Sequence, residues 1–124
     1  MSLSGDFQPT VIISDSAIDP DRFLFEGVDT SPGPVYSVGE TAKIFFGRSP
    51  SWLRGHESAG KFLIPGQDPV VPNRRVQNSA RFFCLEDIEK IAHCLAYHGV
   101  LTGARLRIVL TILKAQAQLW NYIA

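Results

Sequence analysis

Residues 36–60 read YSVGETAKIFFGRSPSWLRGHESAG, and two helix starts are legible in them. Ser37-Val38-Gly39-Glu40 fits a capping box: the serine hydroxyl takes an orphan amide, and the glutamate three residues on reaches back. Val38, Thr41, Ala42 and Phe45 then recur at helical spacing, and Gly47 ends the helix. Ser49 predicts a second N-cap with Pro50 at the first helical position, where its missing N–H costs nothing. This second helix should run to about Ser58 and stop at Gly60. Two short helices joined by a tight, glycine-containing turn form a helix-turn-helix.

Downstream, the chain from Lys61 to Phe83 is extended and punctuated. Phe62-Leu63-Ile64 and Arg81-Phe82-Phe83 read as strands. Pro65, Gly66, Pro69 and Pro72 lie between them, followed by Asn73-Arg74-Arg75, which makes a long hairpin with a basic tip. Glu86 to His98 is a helix with Ile88, Ile91, Ala92 and Leu95 on one face; Glu86 and Asp87 suit its positive end, Cys84 is a poor N-cap, and Gly99 stops it. Thr102 caps a last, long helix of roughly Gly103 to Tyr122, striped by Leu106, Val109, Leu110, Leu113, Ala117 and Trp120. Upstream, Val11–Ser14 and Phe23-Leu24-Phe25 read as short strands around an Asp19-Pro20-Asp21 turn, and residues 29–34 mark a boundary. The chain thus divides into an acidic N-terminal extension (1–34), a helix-turn-helix with hairpin (35–100) and a C-terminal helix (101–124). The fold class is mainly α with a small β-hairpin.

A chain of 124 residues can enclose one core, and 45% apolar with 19% charged residues is globular composition. No apolar run reaches the roughly 18–20 residues of a membrane span, so no membrane partner is expected. The N-terminus lacks the pattern of a signal peptide. Two cysteines, Cys84 and Cys94, are too few for a disulfide framework, which points to a reducing cytoplasm. The zero net charge hides an asymmetry. Residues 1–35 hold six Asp/Glu against one Arg, whereas residues 36–124 hold eleven Lys/Arg against six Asp/Glu. Such halves suggest a polyanion partner for the basic part, or an acidic tail that covers it.

Chemistry is sparse. Neither a nucleophile elbow nor a glycine-rich phosphate loop is present, so the chain reads as no enzyme and needs no cofactor. Cys94 and His98 stand four apart, with His93 and Cys84 nearby, but no C-x-x-C or H-x-x-x-H completes a tetrahedral set. No metal is expected; Cys94 reads as a half-buried thiol and His98 as a helix C-terminal residue.

Taken in order, four motifs resemble the N-terminal domain of the MerR family. Residues 36–43 (YSVGETAK) resemble its opening, and residues 49–57 (SPSWLRGHE) its recognition helix. Residues 81–88 (RFFCLEDI) resemble the passage from wing to third helix, and His98-Gly99 before Thr102 resembles the break before the fourth. The match spans about residues 36–113. One extra residue sits around Phe45-Phe46-Gly47, the wing is longer than usual, and no effector domain follows. The chain is therefore similar to the stripped-down MerR-like proteins and phage excisionases, with no small-molecule effector.

The resemblance implies a winged helix-turn-helix that binds double-stranded DNA in the nucleoid, as a transcriptional regulator or an architectural recombination factor. The second helix would enter the major groove with Arg48, Ser51, Trp52 and Arg54 outward, Ser49 and the helix N-terminus holding a phosphate. Lys43 belongs to the opening motif, and His56 stands where an aromatic touching the DNA backbone is common. Arg74 and Arg75 at the hairpin tip, with Lys61 and Arg81 lower down, would track the minor groove and backbone. The bland alternatives are a core role for Trp52, a solvated charge at Arg54 and a solvated basic loop. A protein-interaction module that kept the fold is the competing function. The last helix is expected to form a homodimer through Leu106, Leu110, Leu113, Ala117 and Trp120, the alternative being a helix folded back on the N-terminal segment.

Overall fold

The computed structural model describes residues 23–30, 33–70, 73–74 and 81–123. Val11–Ser14, the Asp19–Asp21 turn and Arg75 lie outside the described residues. In chain order the elements are β1 (Val35–Ser37), α1 (Val38–Glu40), a π-helical segment (Thr41–Phe46) that continues α1, α2 (Pro50–Ser58), β2 (Asn73–Arg74), β3 (Arg81–Cys84), α3 (Leu85–Tyr97) and α4 (Gly103–Ile123). The protein is mainly helical, with a small antiparallel sheet in the order β1-β3-β2. Tyr36 pairs with Phe83 across β1 and β3, and Arg74 with Arg81 across β2 and β3.

Local chemistry sets the helix starts. The capping box forms: the Glu40 N–H donates to Ser37 Oγ at 3.1 Å, and the Ser37 N–H donates to Glu40 Oε1 at 2.9 Å. Ser49 caps α2 by accepting from the Trp52 N–H at 3.2 Å, with Pro50 in the first turn. Thr102 caps α4 by accepting from the Arg105 N–H at 3.2 Å. Cys84 precedes α3 and gives it no side-chain cap. Gly47, Gly60 and Gly99 close the ends with φ of 63°, 77° and 77°, which L side chains rarely adopt.

The first helix ends in a π-helical turn, Thr41–Phe46. A π turn closes over five residues instead of four. Gly47 and Arg48 both donate to the Ala42 carbonyl, so the link to α2 stays short.

The core joins the helices to β1 and β3. Ala42, Phe45, Leu53, Phe83, Ile88, Ile91, Leu95, Leu110 and Leu113 are all buried. Phe45 meets Tyr36 edge-to-face at 5.1 Å, and the Tyr36 hydroxyl donates to Gln116 Oε1 of α4 at 2.8 Å. Leu106, Val109, Leu110 and Leu113 face this core, and Ala117 packs against it half-buried. Much of the α4 stripe expected to form a dimer is therefore covered within the chain.

Two strand expectations are corrected. Phe62-Leu63-Ile64 is not a strand. Phe62 is drawn into the core with Val70, whose N–H donates to the Phe62 carbonyl at 3.2 Å, and a turn at Pro65-Gly66 separates them. The partner of β3 is Asn73–Arg74 instead, which puts Arg74 in a strand and not at a tip. Phe23-Leu24-Phe25 is likewise no strand. It enters a turn at residues 24–27, where the Val28 N–H donates to the Phe25 carbonyl at 3.0 Å. β1 has no counterpart in the strands read from the sequence.

That turn packs on α3. The Glu89 carboxylate, 1% exposed, accepts from the backbone N–H groups of Leu24 and Phe25, the latter at 3.0 Å. Phe25 is buried, Phe23 stands edge-on to His93 at 4.7 Å, and Thr30 Oγ1 donates to Glu86 at 3.1 Å. No helix of the described residues is long and apolar enough to cross a membrane.

Candidate nucleic-acid interface

α2 turns most of its surface outward. Leu53 is its one buried residue, whereas Ser51, Arg54, Gly55 and Ser58 are exposed, as are Arg48 and Ser49 just before it. The glycine at 55 leaves open space on this face: a Cβ added there would meet nothing within 4 Å.

Trp52 has a mixed place. It is half-buried against the core, with its ring 5.7 Å from Phe46 and 4.7 Å from His56. The Arg48 guanidinium sits 5.6 Å from the indole centroid, within cation–π range. The indole thus both seats α2 and holds Arg48 at the helix entrance.

The far end of α2 meets the sheet. Arg81 pairs with Glu57 through both nitrogens, at 2.7 and 2.5 Å. A bidentate guanidinium–carboxylate pair fixes orientation as well as distance. It ties β3 to α2, and it engages Arg81 within the protein. The Lys61 N–H donates to the His56 carbonyl at 3.0 Å, and Lys61 is half-buried. Partial burial, aided by the nearby Lys61 charge, pushes the His56 imidazole below its usual range.

The structure gathers Arg48, Ser49, Ser51, Trp52, Arg54 and His56 on or beside α2, with Lys61 and Arg81 at its end. Lys43 is exposed but borders a groove against α4. Arg74 contributes backbone pairing to β3, and Arg75 is outside the described residues. Sequence reasoning missed Glu57 as the partner of Arg81. Glu57 lies within the quoted motif, but only the fold reveals what it faces.

The remaining candidates serve packing. Cys94 is buried rather than half-buried, and burial pushes its thiol and that of Cys84 up. Burial also raises the Asp87 carboxyl, partly offset by its hydrogen bonds with Cys84. His98 holds the end of α3 to the loop after α2, its Nε2 lying 2.7 Å from the Leu63 carbonyl. Among the described residues no group of three His, Cys, Asp or Glu could hold a metal ion. Compared with known proteins, the chain matches no family model, no curated protein and no solved structure.

Proposed function

We propose that this chain binds double-stranded DNA in a sequence-specific manner as a small winged helix-turn-helix of the MerR type, regulating transcription or shaping DNA for recombination, without chemistry of its own. One observation carries the reading. α2 is anchored by a single buried leucine and presents Arg54, Ser51 and its Ser49-capped N-terminus, flanked by Arg48, to solvent. In this reading α2 lies in the major groove, its first-turn amides and dipole face a phosphate, and Arg54 takes guanine O6 and N7 bidentately. The hairpin of β2 and β3 is the wing, held at a set angle to α2 by the Glu57–Arg81 pair. Pairing of two copies would place two such helices on two half-sites.

Selection of bound duplexes from a random pool tests this reading directly: a consensus emerges, and a pool without enrichment overturns sequence specificity. Arg54→Ala should then weaken binding to the selected site by about 1–3 kcal/mol and flatten the preference at one base pair. Unchanged affinity and unchanged preference would remove Arg54 from base readout.

The wing should behave differently. Replacing Arg74 and Arg75 with alanine should cost affinity almost equally on selected and random duplexes, and lower the slope of log K against log salt by about 0.9 per lost phosphate contact. A salt slope equal to that of the unmodified protein shows that neither arginine touches phosphate.

A further inference from the structure

We propose that the groove between the π segment and α4 is a docking site for a peptide segment of another protein, one in which carboxylates flank large apolar side chains. This inference goes beyond the DNA-binding reading and does not depend on it.

The groove has apolar walls and a cationic rim. Its volume is about 170 Å³; Ile44 and Phe46 of the π segment line it together with Leu101, Ile108 and Ile112, and Lys43 and Arg105 share its wall. Phe46 is buried, whereas Ile44 and Ile108 are 40% and 48% exposed. Two β-branched apolar side chains left this open shed water when an apolar group comes between them. The volume lies below the roughly 300–1,000 Å³ of pockets that enclose small molecules. It suits one or two apolar side chains delivered from outside, not a cofactor.

The rim chooses the charge of the guest. Arg105, Ile108 and Ile112 follow one another at steps of three and four residues, so the guanidinium shares a helix face with the two isoleucines. Lys43 stands beside Ile44 on the opposite wall. Both cations are exposed, and among the described residues no carboxylate pairs with either, whereas Arg81 is engaged by Glu57. α4 adds Arg107 and Lys114 and carries no Asp or Glu. A carboxylate beside an inserted side chain therefore meets a cation on either wall, and a guanidinium can take it bidentately. Exposed pairs of this kind govern selectivity and association rate, while burial of the apolar walls supplies the affinity.

The same features disfavour other guests. A second copy of α4 laid in this groove brings further cations and no carboxylate to answer Lys43 and Arg105. Like charges brought together across an interface select against such a partner. A phosphodiester backbone would answer the cations but offers Ile44 and Ile108 little apolar surface to bury against. A peptide with carboxylates around apolar side chains answers both the rim and the walls.

Two synthetic peptides of matched apolar pattern and opposite charge, EELFEDLLEE and KKLFKKLLKK, test the groove. Titrated into the isotope-labelled full chain, the acidic peptide should shift the resonances of Ile44, Arg105, Ile108 and Ile112 saturably, and the basic peptide should leave them in place. Lys43→Glu combined with Arg105→Glu changes two exposed positions, so helix content should hold. That double variant should bind the acidic peptide about tenfold more weakly and should now take the basic one, an exchange that loss of folding cannot produce. Ile108→Ser should weaken the acidic peptide about threefold with the rim intact. No saturable shift up to millimolar acidic peptide, or equal binding of both peptides, overturns the proposal. Three further outcomes give the groove to another guest and overturn it too. Groove shifts that track protein concentration without peptide assign it to a second copy. Groove shifts on replacing Asp6, Asp15, Asp19 and Asp21 with Asn assign it to the chain's own acidic segment. Groove shifts caused by random duplex DNA and not by the acidic peptide assign it to phosphate. The supporting readouts use no DNA, so absence of peptide binding leaves the DNA-binding reading standing.

Discussion

Replacing Glu89 with alanine is expected to destabilise the fold by about 2–5 kcal/mol and to free residues 23–30 from α3. The carboxylate is 1% exposed and accepts two backbone N–H groups, those of Leu24 and Phe25. Each buried donor left without a partner costs about 1–3 kcal/mol, and bonds to a charged acceptor lie at the upper end. The turn can escape part of that cost by peeling into water, but it then surrenders the burial of Phe25 and the contact of Phe23 with His93. Either route shows in hydrogen exchange, where the Leu24 and Phe25 amides should lose protection well before α3 does. Glu89→Gln keeps one acceptor oxygen and should cost less. An alanine variant within about 0.5 kcal/mol of the unmodified protein, with both amides still protected, would show that the carboxylate does not hold the turn.

The same residue shows where the sequence stops being legible. Helix starts are local, because Ser37, Ser49 and Thr102 bond amides three residues away; all three are readable from spacing alone. The α3 stripe is readable for the same reason: one face of a regular helix repeats every three or four residues. Glu89 lies off that stripe and looks like a solvated charge. Its partners are more than sixty residues away in sequence, and no local pattern announces them. Strand pairing fails similarly. Phe62-Leu63-Ile64 has strand-like composition, but Phe62 is worth more in the core, so the pairing passes to Asn73–Arg74, which look like turn residues. β1 is three residues long, and its place depends on β3 and not on its own propensity.

The candidate site divides along the same line. The exposed Ser51 and Arg54 of α2 follow from the helix period, since fixing Leu53 inward puts both outward. Trp52 defeats a choice between core and surface, because its ring spans both. Arg81 looks like one more basic residue of a hairpin until the fold sets it against Glu57. The π winding of Thr41–Phe46 has no local mark in the sequence; it depends on the Ala42 carbonyl taking both Gly47 and Arg48, a matter of backbone geometry.

Leu53 should prove the most consequential residue of α2. It is 1% exposed and is the helix's only buried residue. Leu53→Ala removes buried methyl groups and leaves a cavity, at a cost of about 2–5 kcal/mol. The loss falls unevenly. A nine-residue helix has little stability of its own, so what holds α2 in place is tertiary packing. With Leu53 gone there remain the half-buried Trp52 and the Glu57–Arg81 pair, and a partly exposed ion pair contributes little. The α2 amides should therefore exchange at rates set by local opening, while those of α3 still report global unfolding. Leu53→Met conserves volume and should cost less than about 1.5 kcal/mol, which separates lost packing from a changed surface. DNA affinity adds a second axis. Leu53 points away from the proposed DNA face, so any affinity lost in the alanine variant comes from an α2 that no longer holds its pose. That loss should shrink as temperature falls and the helix reseats, whereas the Arg54→Ala deficit should persist. Equal protection of the α2 and α3 amides in Leu53→Ala would show that α2 is held by something other than its one buried side chain.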